Sequence, residues 1–153
     1  VKAAQSVWDK LILKIGKLNP EIINKAHSNT LKSVGLSRQK VLYLKNLAHA
    51  FLDQSLKVEL WKKMSDEEII NDLIKIKGIG RWTAEMFLIF NLCRSDVFPL
   101  DDIGVIKGIC KIYNYEYPID RETLTRVGNK WKPYRSVATW YLWRSLDPIP
   151  VEY

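Results

Sequence analysis

Apolar residues recur every three or four positions along nearly the whole chain, which is the spacing of one face of an α-helix. The clearest segments span residues 3–15, 69–74, 81–92, 102–113 and 121–131. No stretch alternates apolar and polar residues for long enough to predict a strand. The pattern therefore predicts an all-α fold of about eight to ten short helices.

Several helix starts carry side chains that can accept hydrogen bonds from the free amides of a first turn. The predicted cap residues are Asn19, Ser37, Ser65 and Asp120. Glu68 follows Ser65 at the spacing of a capping box, in which each side chain bonds the other residue's amide. Pro133 is predicted to lie in the first turn of a last helix that ends near Leu146.

Composition narrows the class of protein. The chain has 153 residues, of which 47% are hydrophobic and 27% charged, as in a folded domain. No apolar run approaches the roughly 20 residues of a membrane helix, and the first residues do not form a secretory signal. Two cysteines, which we expect to be buried core thiols, are too few for a disulfide framework, a four-Cys zinc site or an iron–sulfur cluster. We therefore expect an intracellular protein.

The net charge of the chain favours an anionic partner. Lys and Arg number 24 against 17 Asp and Glu, a formal net charge of +7. An excess of this size favours a polyanion such as nucleic acid, but many basic proteins bind none.

The most informative stretch, residues 73–84, reads Leu-Ile-Lys-Ile-Lys-Gly-Ile-Gly-Arg-Trp-Thr-Ala. It predicts a helix, a tight turn at Gly78 and Gly80, and a second helix, together a hairpin motif over residues 69–92. Glycines permit positive φ angles and close approach of a ligand, and the amides of a new helix point outward. With Lys75, Lys77 and Arg81 nearby, the turn suits a backbone phosphate. The alternative is a plain tight corner.

Two adjacent carboxylates, Asp101 and Asp102, follow the apolar loop 97–100 and precede a helical pattern. Helix capping accounts for one of them. It accounts less well for two, because neighbouring anions repel. A carboxylate held beside an apolar cleft is also suited to stabilising a developing cation.

Three segments together resemble a known family. They are residues 77–84, Lys-Gly-Ile-Gly-Arg-Trp-Thr-Ala; residues 96–105, Asp-Val-Phe-Pro-Leu-Asp-Asp-Ile-Gly-Val; and residues 131–140, Trp-Lys-Pro-Tyr-Arg-Ser-Val-Ala-Thr-Trp. In order and spacing they resemble the 3-methyladenine DNA glycosylase II (AlkA-type) branch of the helix-hairpin-helix glycosylases. The resemblance implies a two-lobed all-α fold with the active-site cleft between the lobes. It makes residues 1–153 a single glycosylase domain whose usual N-terminal helices, with the residue that fills the gap left by a flipped base, lie upstream.

The resemblance also implies roles for residues. Asp102 becomes the catalytic carboxylate and Asp101 a helix-start or supporting residue. The residues implied to line the base pocket are Trp82, Met86, Trp143 and Asp101. Those implied to contact the DNA backbone are Lys75, Lys77, Gly78, Ile79, Gly80, Arg81 and Thr83. Main-chain carbonyls implied to hold a structural monovalent cation belong to Ile74, Ile76 and Ile79; no other cofactor is expected.

Three positions differ from relatives in ways that bear on activity. Lys77 replaces the usual proline of the hairpin, and Met86 replaces a second pocket aromatic. Trp82 stands where bifunctional relatives carry a Schiff-base lysine, which implies a monofunctional enzyme that leaves an abasic site.

The sequence thus predicts a monofunctional glycosylase that flips and excises alkylated purines in base excision repair. A glycosylase for oxidised or deaminated bases and a non-catalytic helix-hairpin-helix DNA-binding module remain alternatives. The expected partner is double-stranded DNA with a damaged base, with no membrane, and the chain is expected to be a monomer. Its expected location is the nucleoid of a prokaryote or the nucleus of a eukaryote.

Overall fold

The computed structural model describes residues 2–147, which contain nine α-helices and no strand. The helices are α1 (Lys2–Ile15), α2 (Pro20–Lys25), α3 (Ser28–Ser33), α4 (Arg38–Leu52), α5 (Asp66–Leu73), α6 (Arg81–Phe90), α7 (Ile103–Tyr113), α8 (Arg121–Asn129) and α9 (Arg135–Leu146), with a 3₁₀ turn at Val58–Leu60 between α4 and α5. The predicted all-α class is confirmed. Within the described range, no helix is both long and apolar enough to cross a bilayer.

The predicted caps form as the side-chain chemistry requires. Asn19, Ser37 and Asp120 each accept a hydrogen bond from an amide in the first turn of α2, α4 and α8. Ser65 and Glu68 form the full capping box of α5, with the Ser65 amide donating to Glu68 Oε2 at 2.7 Å. Local sequence therefore sets where these helices begin.

The chain folds into two compact units, one ending at Gly80 and one beginning at Arg81. In the first unit, α2 and α3 pack on α4. A buried apolar cluster of this unit contains Leu11, Ile23, Leu31, Val34, Val41 and Ala48.

In the second unit, α7 packs on α9. Its buried apolar cluster contains Val105, Ile109, Leu124, Val127 and Leu142. Gly108 lets these helices approach closely, because a Cβ there would lie 2.9 Å from Leu142 Cβ. This close crossing brings the residues of α9 next to the N-terminus of α7.

Two details of the prediction are wrong. Pro133 precedes α9, which begins at Arg135, rather than lying in its first turn. The second is the prediction that both cysteines are buried core thiols, because Cys93 is exposed and Cys110 is only half-buried. Because α6 ends at Phe90, Cys93 lies in the following loop and not on an apolar helix face.

Candidate active site

Asp102 is the N-cap residue of α7. Its backbone is extended, and its Oδ1 accepts a hydrogen bond from the Val105 amide at 2.8 Å. The cap is thus Asp102 and not Asp101, which corrects the expectation that Asp101 starts the helix. One side chain serves both as helix cap and as the carboxylate predicted to be catalytic.

Two tryptophans meet the same carboxylate. Trp82 Nε1 donates to Asp102 Oδ2 at 2.6 Å, and Trp143 Nε1 donates to Asp102 Oδ1 at 3.0 Å. Asp102 is 8% exposed, whereas Trp82 is 51% exposed. The structure therefore brings together three of the residues predicted from the sequence, with the carboxylate buried behind an accessible indole.

Trp143 is held in place on two further sides. A Cβ on Gly104 would lie 2.8 Å from Trp143 Cδ1 and 3.0 Å from Asp102 Oδ1, so glycine leaves the room that this indole occupies. Phe90 stacks on Trp143 with ring centroids 5.9 Å apart and an interplanar angle of 17°. The indole is thereby fixed by its hydrogen bond, by the glycine beneath it and by an aromatic ring.

The residues of α6 that are predicted to line the base pocket follow helical spacing. Trp82, Met86 and Phe90 stand four residues apart, on one face of the helix. Met86 is half-buried there. Phe90 was not among the residues predicted from the sequence, although its spacing from Trp82 and Met86 carried the signal.

The loop before Asp102 is clamped by the start of α9. Arg135 binds Asp96 through two parallel contacts, Nε to Oδ1 at 2.6 Å and Nη2 to Oδ2 at 2.9 Å. This guanidinium holds the pKa of the Asp96 carboxyl below its usual value. Ser136 Oγ accepts from the Val97 amide at 2.9 Å and donates to the Arg94 carbonyl at 2.6 Å. The Arg-Ser pair of the 131–140 motif thus holds the loop that carries the carboxylate.

Phe98 anchors the same loop to α8. A Cβ on Gly128 would lie 2.3 Å from Phe98 Cε1, so glycine leaves the room that this ring occupies. The ring also meets Trp131 edge to face, with centroids 5.7 Å apart. Together with the Arg135 and Ser136 contacts, this packing restricts where Asp102 can lie.

Asp101 points to a different partner. Its Oδ1 accepts from Arg121 Nη1 at 2.6 Å, and both side chains are exposed. Asp102 differs from Asp96 and Asp101 because the donors that bond it are neutral N–H groups. A carboxylate satisfied by neutral donors keeps its net charge, which an arginine partner would cancel. Asp101 as a pocket residue stays a prediction.

The hairpin between α5 and α6 uses its two glycines differently. Gly78 has φ +110°, whereas Gly80 is not among the described residues with positive φ. A Cβ on Gly78 would lie 2.1 Å from Tyr43 Cγ, but one on Gly80 would meet nothing within 4 Å. The Ile79 amide donates to the Ile76 carbonyl at 3.0 Å, so it is already engaged inside the turn.

Lys75, at the hairpin, has an acidic partner. Its ammonium lies 3.1 Å from Asp72 Oδ1 while its side chain remains 69% exposed. Burial acts to raise the pKa of Asp72, but hydrogen bonds from the Lys57 amide, Lys75 and the Trp61 indole hold that pKa below its usual value. Lys75 can therefore turn toward an anion only by giving up part of this network.

At the start of α6, Arg81 Nε donates to Glu85 Oε1 at 3.1 Å. Lys77 and Thr83 are exposed. The predicted contacts of Lys75, Lys77, Arg81 and Thr83 with DNA stay predictions.

The carbonyls proposed as cation ligands lie at the turn. Ile74 is the C-cap of α5, and Ile76 and Ile79 are joined by the hydrogen bond that closes the hairpin. A carbonyl oxygen has two lone pairs, so Ile76 can accept this bond and still face a cation. Carbonyl oxygens suit hard cations, and this ligand set stays a prediction.

Comparison with known proteins places this geometry in a wider group. Residues 1–133 match the family described as HhH-GPD superfamily base excision DNA repair protein. A fission yeast (Schizosaccharomyces pombe) protein named DNA-3-methyladenine glycosylase 1 is 34% identical over 94% of this chain and 65% of its own length. A budding yeast (Saccharomyces cerevisiae) DNA-3-methyladenine glycosylase is 30% identical over 94% of this chain and 60% of its own. The chain thus spans about two thirds or less of these curated relatives.

A solved structure supports the same family. The structure of the S. pombe 3-methyladenine DNA glycosylase in complex with abasic DNA superposes with a TM-score of 0.85, at 31% identity, over 98% of this chain and 76% of that one. Motif order, helical architecture and these matches agree, and the chain belongs to the HhH-GPD superfamily of base excision DNA repair proteins.

Proposed function

We propose that this protein is a monofunctional DNA glycosylase that removes alkylated purines from double-stranded DNA. The observation that carries the proposal is the buried Asp102 carboxylate, bonded by two indole N–H groups and one backbone amide. The names of the yeast relatives and the abasic DNA bound to one of them support the same substrate class.

The chemistry depends on charge. A damaged base must leave the stack before its glycosidic bond is accessible, at a cost of a few kcal/mol. N-alkylation makes the purine cationic and weakens that bond. When the C1′–N bond breaks, its electron pair leaves with the base and the sugar becomes an oxocarbenium ion. Asp102 stabilises this cation, because its negative charge is not cancelled by a lysine or arginine partner.

Water completes the reaction. Its oxygen bonds to C1′, its proton passes to solvent, and the products are a free neutral base and an abasic site. The base already carries positive charge, so the reaction needs no strong general acid. The indole of Trp82, half-exposed beside the carboxylate, offers a π-face to a cationic base, a contact worth about 0.5–2 kcal/mol.

Trp82 also bears on the fate of the DNA strand after base release. A lyase reaction through an imine needs a primary amine at the sugar, and an indole has none. The Trp82 N–H is also engaged with Asp102. The protein is therefore expected to leave the DNA strand intact at the abasic site.

The first experiment incubates the protein with duplexes that each contain one lesion and measures the free base by chromatography. The lesions are 3-methyladenine, 7-methylguanine, ethenoadenine, hypoxanthine and 8-oxoguanine, with an undamaged duplex as control. We expect release of the two methylated purines and strand breaks only after alkali treatment.

Other outcomes would redirect the proposal. Release of hypoxanthine or 8-oxoguanine alone would identify a glycosylase for deaminated or oxidised bases. DNA binding that falls with salt, without release of any base, would identify a binding module. Strand breaks without alkali would contradict the monofunctional assignment.

A further inference from the structure

Helix α4 contacts two successive residues of the hairpin. Asn46 Nδ2 donates to the Lys77 carbonyl at 3.2 Å. Three residues earlier on α4, the Tyr43 ring occupies the space beside Gly78, where a Cβ would lie 2.1 Å from its Cγ. The conformation of the turn is thus set by side chains that are about 30 residues away in sequence.

The contact of Asn46 determines where a neighbouring amide points. The Lys77 carbonyl and the Gly78 N–H belong to one peptide group, and in a planar trans peptide they point in opposite directions. Holding the carbonyl toward α4 directs the Gly78 N–H away from α4. In residues 2–147 this amide donates to no protein acceptor, whereas the Ile79 amide is already bonded to Ile76. Gly78 therefore offers a donor that the fold itself leaves unused.

Asn46 also borders a cavity of mixed charge. An open cavity of about 520 Å³ is lined by Asn46, His49, Lys75 and Lys77, and also by Asp53 and Asp72. Two lysine side chains thus lie on the same side of the first unit as the residue that orients the peptide. Lys75 is paired with Asp72, so the feature that suits a phosphodiester is the unused Gly78 amide, next in sequence to the exposed Lys77.

We propose that Asn46 is a positioning residue for DNA binding, which fixes the Lys77–Gly78 peptide so that the Gly78 amide meets a backbone phosphate. The inference rests on the proposed function, since it assigns a means of holding the same DNA substrate. Asn46 acts through the peptide and not by touching DNA. Its loss weakens binding and leaves the chemical step unchanged.

The test uses two substitutions of Asn46 and one matched control. Asn46→Asp keeps the size but places carboxylate oxygens, which cannot donate, against the Lys77 carbonyl. Asn46→Leu removes the donor without adding charge. The control is Asn24→Asp, which makes the same charge change at an exposed position on α2.

We expect both Asn46 variants to raise the Kd for a duplex with a tetrahydrofuran abasic site by about three- to tenfold, the size of one hydrogen bond. The single-turnover rate of base release at saturating protein should stay within about twofold of wild type. The Asn24→Asp protein should bind like wild type. In ¹H–¹⁵N spectra of the wild-type protein, the Gly78 amide resonance should shift when this duplex is added.

The outcomes separate the inference from the function it rests on. If wild type releases base but both Asn46 variants bind DNA with unchanged Kd, Asn46 has no positioning role. A Gly78 resonance that does not move while the duplex binds would also overturn the inference, and this measurement needs no variant to fold. If wild type releases no base, the proposed function fails instead.

Discussion

Asp102→Asn is expected to lower the single-turnover rate of alkylated-base release by about 10²–10³-fold, the range found when a charge-stabilising group is removed. Asparagine lacks the negative charge that opposes the sugar cation. It also disturbs the two indoles, because its amide nitrogen would face one of the N–H groups that now donate to Asp102. The rate is measured on methylated duplex DNA with protein in excess.

The helix cap itself should be kept, since asparagine caps helices about as well as aspartate, and the loss of stability should not exceed about 1–3 kcal/mol from the disturbed indole hydrogen bond. The matched control is Asp120→Asn, which makes the same substitution at the N-cap of α8, where the Asp120 side chain accepts from the Thr123 amide at 2.8 Å. This control should keep the wild-type rate. If Asp102→Asn keeps the rate and Asp101→Asn loses it, catalysis belongs to Asp101 and the assignment is wrong.

Gly78→Ala is expected to destabilise the protein by about 2–4 kcal/mol. Two costs combine: an alanine at φ +110° is strained, and its Cβ would lie 2.1 Å from the Tyr43 ring. The ring must move or the turn must open. Urea denaturation followed by circular dichroism measures the free energy of unfolding.

Gly80→Ala is the matched control in the same turn. A Cβ on Gly80 would meet nothing within 4 Å, and Gly80 is not among the described residues with positive φ. The free energy of unfolding of Gly80→Ala should therefore stay within about 0.5 kcal/mol of wild type. Equal losses in both variants would mean that the hairpin does not have the described conformation. The double variant Tyr43→Ala/Gly78→Ala, compared with Tyr43→Ala alone, separates the steric cost from the cost of the φ angle.

Four of the nine described helices have starts that could be predicted from local sequence, because those starts are chemically marked. Asn19, Ser37, Ser65 and Asp120 act over three residues, so their effect can be inferred without knowing the fold. Helix ends are less predictable. The apolar pattern continues past Phe90 while the helix does not, and for this reason the prediction for Cys93 is wrong.

The sequence predicted three members of the site, but it predicted neither Phe90 nor the hydrogen bonds that join those three residues. The motif resemblance singled out Asp102, Trp82 and Trp143, and the structure joins them by hydrogen bonds. That Asp102 also caps α7 could not be decided from two adjacent aspartates, because either side chain fits a cap. The choice depends on the φ and ψ angles of the loop, which are set by the contacts of Arg135 and Phe98 with it and its neighbours.

Other features depend on residues far apart in sequence. The residues next to Gly78 in sequence do not indicate that Tyr43 and Asn46 set the conformation of the turn. Likewise, Asp101 and Arg121 are 20 residues apart and meet only when α8 packs beside the loop. The contacts of Gly104 and Phe90 with Trp143 can be recognised once the position of Trp143 is known.

The central claim is that the Asp102 carboxylate stabilises positive charge on the sugar. It is tested most directly by comparing two duplexes that differ only at the abasic position, one with a protonated pyrrolidine ring and one with a neutral tetrahydrofuran ring. The wild-type protein should bind the cationic analogue roughly 10²-fold more tightly than the neutral one, and Asp102→Asn should lose most of that difference. Equal affinity of wild type for the two duplexes, or a preference that persists in Asp102→Asn, would contradict the claim.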